Sequence, residues 1–296
     1  MSKPKVIVVL GQTATGKSDL AVRLAKKFNG EVISADSRQV YRGLDIGSGK
    51  ITQKEMKGVP HHLLDIVDPK KNFSVANYKK LAEEKIKEIV ARGKLPIICG
   101  GTGFYIDAVT TGMVLPEVKP NPKLRQTLEK QSLEKLVQTL KKLDKSRAEN
   151  IDQKNKVRLI RAIEIAKALG QVPKIKSETP PYEFIKLGLA LPEETLKRKI
   201  RIRLRKRLRN GMAVELYDLR RNGVPWKRFL ELGFDQKFVA LFLQKKISNK
   251  EMLEKLFAGN WQYAKRQMTW FKRGIDINWF SPKEYKKIVA FLKDRI

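Results

Sequence analysis

The sequence predicts an α/β fold in which a parallel sheet is flanked by helices, interrupted by a mostly helical insertion and followed by a helical C-terminal part. Three observations carry this expectation. Short apolar runs alternate with segments of helical spacing through the first third of the chain, the pattern of strands that a helix must cross over before the next parallel strand can pair. The first of those runs leads through a glycine-rich turn straight into a helix. Prolines then bracket a middle stretch dominated by helical spacing.

Val6–Leu10 is an apolar run that ends at Gly11, and from Lys17 to Phe28 the residues Leu20, Leu24 and Phe28 share one helix face. Glu31–Ala35 reads as a second strand, Val75–Ala91 as a helix, and Leu95–Cys99 as a third buried strand ending in Gly100-Gly101. His61–Val67 and Phe184–Leu191 supply further strand candidates. Pro116, Pro120 and Pro122 open the insertion and Pro173, Pro180 and Pro181 close it, which divides the chain into a core at 1–116, an insertion at 117–181 and a return to the core at 182–296. Beyond Leu191 the spacing is helical over Glu193–Asn210, Met212–Arg221, the neighbourhood of Lys237–Lys245 and Asn249–Phe271. A short apolar run at Ile275–Phe280 and a closing helix complete it.

The 296 residues include 63 Lys or Arg against 31 Asp or Glu, a formal balance of +32. An acidic polymer is therefore the first partner to expect, because cations neutralise phosphates and release their counterions. No apolar run approaches the ~20 residues that span a bilayer, so a membrane protein is not expected. The single cysteine, Cys99, forbids an intramolecular disulfide and a cysteine-rich zinc site, and it points to a reducing, cytoplasmic location. His61 and His62 are expected to be structural, and a monomer is the default.

Gly11-Gln12-Thr13-Ala14-Thr15-Gly16-Lys17-Ser18 matches G-x-x-x-x-G-K-[ST] between a strand and a helix, the context in which this pattern works. The sheet is therefore expected to be P-loop NTPase-like and nucleotide- or diphosphate-binding. Backbone N–H groups would cradle the phosphates, Lys17 would add a point charge, and the Ser18 hydroxyl would meet Mg2+. An NTPase also places a metal-organising Asp at the end of a second strand, whereas Leu95–Cys99 runs into Gly100-Gly101-Thr102-Gly103; Asp65, after Leu63-Leu64, is a weak substitute. The polar group presented there is the Thr102 hydroxyl. Asp36, at the head of Asp36-Ser37-Arg38-Gln39-Val40-Tyr41, emerges at the same sheet edge, where it can hold Mg2+, cap a helix or act as a base.

With Asp45-Ile46-Gly47, Gly100-Gly101-Thr102-Gly103-Phe104-Tyr105, Arg158-Leu159-Ile160-Arg161-Ala162-Ile163-Glu164 and Lys265-Arg266-Gln267-Met268-Thr269-Trp270-Phe271-Lys272, these segments resemble the tRNA dimethylallyltransferases in order and spacing. Those enzymes put an isopentenyl group on N6 of the adenine that follows the anticodon, and the resemblance runs nearly end to end. It implies that the P-loop holds the diphosphate of dimethylallyl diphosphate in place of ATP, with Mg2+ as cofactor. Asp36 would then be the general base for adenine N6, with Thr102 and Arg203 beside the bridging oxygen and the leaving diphosphate. The substrate would be a flipped adenine 37 in the anticodon stem–loop of tRNAs reading codons that begin with U. Contacts to that tRNA would come from Asp36, Ser37, Arg38, Gln39, Thr102, Arg125, Val157, Arg158, Leu159, Ile160, Arg161, Lys265, Arg266, Gln267, Trp270 and Lys272. The chain departs from the family pattern at Leu232-Gly233-Phe234-Asp235, where an Asp stands in place of a basic or polar residue and weakens the expected tRNA contact.

Lys197 to Gly211 holds nine Lys or Arg and no acid, with Ile200, Ile202, Leu204 and Leu208 as its apolar side. A cationic helix along an RNA backbone, with Arg205, Lys206 and Arg209 as phosphate contacts, is the expectation. Trp261, Tyr263, Lys265, Arg266, Gln267, Trp270, Lys272 and Arg273 interleave aromatics with cations, as stacking on unpaired bases requires. An adenylate isopentenyltransferase would use the same cradle on free AMP, ADP or ATP, but it has no need of such a surface. A P-loop NTPase or kinase acting on RNA would show the missing Asp and turn over ATP. A purely RNA-binding protein leaves Lys17, Ser18, Asp36 and Thr102 without a shared purpose.

Overall fold

The computed structural model describes residues 3–296. Its eight strands are β1 (Lys5–Gly11), β2 (Gly30–Ala35), β3 (His61–His62), β4 (Leu95–Gly100), β5 (Met113–Val114), β6 (Lys176–Ser177), β7 (Glu183–Leu189) and β8 (Ile277–Phe280). Six of them form one parallel sheet in the order β3-β2-β4-β1-β7-β8. β1 lies inside it, with Ile7 opposite Ile97 on one side and Ile185 on the other. A strand covered on both faces needs a continuous apolar run, which is why Val6–Leu10 shows no polar alternation. Its even residues, Val6, Val8 and Leu10, pack with Ile33, Ile98, Ile86 and Tyr78. Ile7 and Val9 pack on the other face with Leu20 and Leu24 of the helix Lys17–Lys27 and with Ile288 of the last helix, Tyr285–Lys293.

The strand expected over His61–Val67 is shorter than that run. β3 stops at His62 because Leu63 and Asp65 take positive φ values of 62° and 55°, which breaks the extended backbone. Val67 pairs only with Tyr41, in an isolated parallel bridge outside the sheet. Near 237–245 the helix begins earlier, at Phe234, and runs to Leu243; Trp226–Leu232 adds a helix that the spacing did not reveal. These helices, with Met212–Arg221, bury Leu216, Phe229, Leu232 and Val239 against Val40, Leu44 and Leu204.

Gly112–Glu178 form a compact unit of their own, and the rest of the chain forms the other. The insertion opens at Gly112 and not at 117, and closes at Glu178 and not at 181, because β5 and β6 pair antiparallel and Glu178 N–H donates to Gly112 O. Inside it, helices Pro122–Glu129, Leu133–Leu143 and Lys156–Leu169 bury Leu128, Leu136, Leu140, Leu159 and Ile163. Among the described residues no helix is long and apolar enough to cross a membrane.

Candidate active site

The cradle starts where β1 ends. A Cβ on Gly11 would lie 2.4 Å from the Leu189 carbonyl oxygen, so only glycine lets β1 leave the sheet alongside β7. Ala14 and Gly16, at φ 62° and 94°, turn the chain back so that the helix Lys17–Lys27 begins facing the loop. Thr15 Oγ1 and Lys17 Nζ donate to the Gln12 carbonyl at 2.8 and 2.6 Å. Burial pushes the Lys17 ammonium down to about 8. A phosphate placed beside it would raise that value again. Ser18 is exposed at the second position of the same helix.

A cleft of about 1090 Å³ opens from this loop, walled by Asp36–Gln39, Asp45–Thr52, Gly100-Gly101, one side of the helix Glu193–Arg209, and Phe234, Tyr263 and Gln267. Arg203 crosses it, donating to Thr13 Oγ1 and to the Gly49 carbonyl, each at 3.0 Å. The wall at 45–49 is fixed from outside. Glu215 accepts the backbone N–H groups of Asp45, Ile46 and Gly47 at 2.8, 2.6 and 2.7 Å, which gives the Asp45-Ile46-Gly47 segment its structural reason. Arg207 donates to Ile46 O at 2.7 Å, to Gly47 O, and to Asp235 at 2.9 Å; Asp235 also accepts Asn260 Nδ2 at 2.8 Å. Asp235 is thus a buried partner of Arg207 that helps to shape the cleft. Asp65, the weak substitute for an NTPase metal ligand, is bonded to Lys50 together with Asp45, and it does not line the cleft.

Asp36 stands at the end of β2. Its Oδ1 accepts Arg38 N–H at 2.8 Å and Gln39 N–H at 3.4 Å, so one oxygen caps the turn while the other is left for a ligand. Its charge supports the protonated forms of both Lys17 and Arg203, which brings the base candidate and the phosphate cations into one field. Thr102 Oγ1 accepts Ser37 N–H at 3.0 Å, tying the tip of β4 to the same turn. A Cβ on Gly100 would sit 2.1 Å from Ala35 O, the close approach that makes this turn glycine-rich.

One side chain joins the two halves of the site. Gln267, 5% exposed on the helix Asn249–Phe271, accepts Thr13 N–H at 2.7 Å and donates to Gly101 O at 2.8 Å. Gln12 adds a bond to Ala264 O at 3.1 Å from the same helix. The spacing of glutamines did not announce this brace, because its partners lie more than 160 residues away.

The predicted tRNA contacts divide by exposure. Val157, at 73% exposed, and Arg158, Lys265, Arg266 and Lys272 face solvent. Leu159 and Ile160 belong to the core of the insertion, so helical packing removes their side chains from any RNA contact. Arg125 and Arg161 are both bonded to the buried carboxylate of Glu164. Gln267 is spent on the brace, and Trp270 donates to Asp107 Oδ2 at 2.7 Å while packing against Gly103. The histidines are structural as expected: His62 meets Glu31 at 2.6 Å and His61 meets Val59 O at 2.8 Å. The sequence reading placed Tyr263 among aromatics that stack on unpaired bases, but it did not pair it with Phe234, whose ring lies 6.0 Å away in the cleft wall, nor single out the cleft-facing Lys199.

The family model for IPP transferase matches residues 39–274, most of the chain. The chain belongs to the IPP transferase family. It is 39% identical over 299 residues to tRNA dimethylallyltransferase 1 of Syntrophus aciditrophicus, covering 98% of each chain, and 41% identical over 286 residues to tRNA dimethylallyltransferase 2 of Treponema denticola, covering 94% of this chain and 96% of that one. Among solved structures it resembles the full-length tRNA isopentenylpyrophosphate transferase of Bacillus halodurans, with a TM-score of 0.75 at 36% identity over 99% of this chain and 96% of the other. A eukaryotic dimethylallyltransferase acting on tRNA matches with a TM-score of 0.80 at 26% identity, over 99% of this chain and 80% of that one. The cleft of this IPP transferase brings Lys17, Arg203 and Asp36 around one space.

Proposed function

We propose that this IPP transferase moves a dimethylallyl group from dimethylallyl diphosphate to N6 of adenine 37, next to the anticodon, in tRNAs reading codons that begin with U, releasing diphosphate. The single observation that carries the reading is the meeting of Lys17, Arg203 and Asp36 around one cleft, with Thr102 hydrogen-bonded to its wall. Three kinds of chemistry are needed: a seat for a departing diphosphate, a base for the amine proton, and a donor near the bridging oxygen. Dimethylallyl diphosphate lies with its phosphates on the loop Gly11–Ser18 and against Arg203. Adenine 37 is flipped in so that its N6 faces the free oxygen of Asp36. As N6 bonds to the allylic carbon, the C–O bond breaks and its electron pair leaves on the diphosphate. Lys17, Arg203 and the loop N–H groups receive that charge; Asp36 takes the N6 proton.

Among the described residues no three His, Cys, Asp or Glu side chains gather as a metal cluster. The exposed Ser18 hydroxyl suits Mg2+ held mainly by phosphate oxygens and water, the usual manner of that ion, and when bound it would neutralise charge on the departing diphosphate. The exposed cations Arg158, Lys265, Arg266 and Lys272 would grip the anticodon stem–loop. A small nucleotide acceptor does not call for these, which disfavours the adenylate-prenylating alternative.

The test is direct. Unmodified tRNA incubated with the protein, dimethylallyl diphosphate and Mg2+ should yield N6-isopentenyladenosine on nucleoside mass spectrometry, mapped to adenine 37 by nuclease fragments. Prenylated AMP without prenylated tRNA would move the activity to the free nucleotide, and ATP hydrolysis without prenylation would return the site to the NTPases.

A further inference from the structure

The helix Glu193–Arg209 carries two separate rows of cations. With Leu196, Ile200 and Leu204 buried, Lys199, Arg203, Lys206 and Asn210 recur at spacings of four, three and four residues and all line the cleft. Arg198, Arg205 and Arg209 form a second row, exposed and absent from the cleft wall. At 100° per residue the two rows lie about 110° apart around the helix axis. Lys206, expected from the sequence to act with Arg205 and Arg209 on RNA, belongs to the other row.

Among the described residues neither Lys199 nor Lys206 forms an ion pair. The acids at the start of the helix are taken by Lys197, at 2.7 and 2.9 Å. Glu55, the acid whose charge Lys206 acts on, holds Thr52 N–H and Thr52 Oγ1 at 2.9 Å as a capping box. Two exposed ammonium groups without carboxylates thus sit one turn to either side of Arg203, on the open side of the diphosphate cradle. Surface lysines ordinarily gain from facing bulk water or an acid; here the helix register points them into a cleft whose lining holds nine Lys or Arg against five Asp or Glu, an excess of positive charge that raises the local concentration of a small polyanion.

We propose that Lys199 and Lys206 form a loading subsite for the allylic diphosphate, and for inorganic diphosphate as product, separate from the RNA-facing row Arg198, Arg205 and Arg209. This inference rests on the diphosphate reading of the cleft. Lys199 and Lys206 attract the polyanion and stabilise its outer phosphate before Lys17 and Arg203 take the inner charge.

The experiment measures two affinities in three proteins. Inorganic diphosphate with Mg2+ is titrated calorimetrically, and an anticodon stem–loop RNA is titrated over a range of salt concentrations, using wild type, K199A/K206A and R205A/R209A. All four substituted side chains are exposed, so equal melting temperatures are expected. K199A/K206A should weaken diphosphate binding roughly tenfold while RNA affinity stays within about twofold. R205A/R209A should do the reverse, lowering the magnitude of the RNA salt slope by roughly 0.7–0.9 per contact. The proposal is overturned if K199A/K206A weakens RNA and spares diphosphate, if it changes neither, or if wild type fails to bind diphosphate at all. Failure of the functional reading looks different: wild type would bind diphosphate, with the lysine effect intact, and yet transfer no prenyl group to tRNA.

Discussion

Arg125 and Arg161 of the insertion and Lys17 and Arg203 of the cleft are arranged on opposite principles. In the insertion a single carboxylate, Glu164, 2% exposed, accepts Arg125 through bonds of 2.9 and 2.7 Å, Asn121 N–H at 2.6 Å, and Arg161 besides. Burial alone would raise its pKa, yet these bonds outweigh burial and hold it down at about 2. In the cleft, Lys17 and Arg203 donate only to neutral oxygens of Gln12, Thr13 and Gly49, with Lys199 and Lys206 beside them. A charge that has found its carboxylate builds structure, and a charge left with neutral partners is available to a ligand.

The contrast is sharpest at Lys17. Lys17→Ala should lower transfer by more than about 10³-fold, the scale of losing a donor to developing charge, while filter binding of tRNA changes by less than about twofold. Equal loss of tRNA affinity would place this cation on the RNA instead. Because Lys17 titrates near 8 in the free protein and bound phosphate raises its pKa, affinity for dimethylallyl diphosphate should be flat below that pH. Above it a proton must be taken up on binding, so affinity should weaken by up to about tenfold per pH unit relative to Lys17→Arg, whose guanidinium does not titrate there.

Asp36→Ala comes next, with turnover falling about 10²–10⁴-fold and diphosphate affinity unchanged. Rescue by excess Mg2+ would make Asp36 a metal ligand. Gln267→Leu leaves Thr13 N–H without its partner and Gly101 O with only the 3.4 Å bond from the Tyr263 hydroxyl, at about 1–3 kcal/mol for the unpaired N–H, and by loosening the register between cradle and acceptor it should cut turnover roughly 10–100-fold with tRNA affinity kept. A pure affinity loss would return Gln267 to the RNA surface.

Glu164→Ala should have the smallest effect on chemistry. Both arginines it holds are about a third exposed, so the cost is about 1–3 kcal/mol, confined to the insertion and read as faster hydrogen exchange in Pro122–Glu129 and Lys156–Leu169. The Glu164 carboxyl is depressed in the folded chain from 4.5 to about 2. Its stabilisation is therefore complete above about 4.5 and is lost as the pH falls toward 2, where wild type and variant should converge. A difference that persists at the lower pH would mean packing, not charge.

The parts of this molecule legible in the sequence are those written locally. Gly11–Ser18 between an apolar run and a helix, and the glycines after Cys99, specify their own turns because backbone sterics act over a few residues. The fates of individual cations were not legible. Arg161 and Glu164 are three apart, but Arg125 joins them only after the insertion has folded. Arg207 finds Asp235 across 28 residues, and Asp65 finds Lys50 through a backbone turned by positive φ. The spacing Lys199-Arg203-Lys206-Asn210 was present as a helical row; choosing between it and its neighbouring row required knowing which face Leu196, Ile200 and Leu204 would bury.

The sheet order also bears on how this chain is made. β1 is bracketed by β4 and β7, and β7 is translated roughly 170 residues after β1, on the order of ten seconds or more at the usual ~5–20 residues per second. Throughout that interval the hydrogen-bonding edge of β1 on its β7 side has no partner in the nascent chain, and Gly11 has no Leu189 to rest against. An apolar strand edge held open for so long invites pairing with other chains. The insertion must therefore be complete before β1 gains its β7 neighbour and Gly11 its close contact with Leu189.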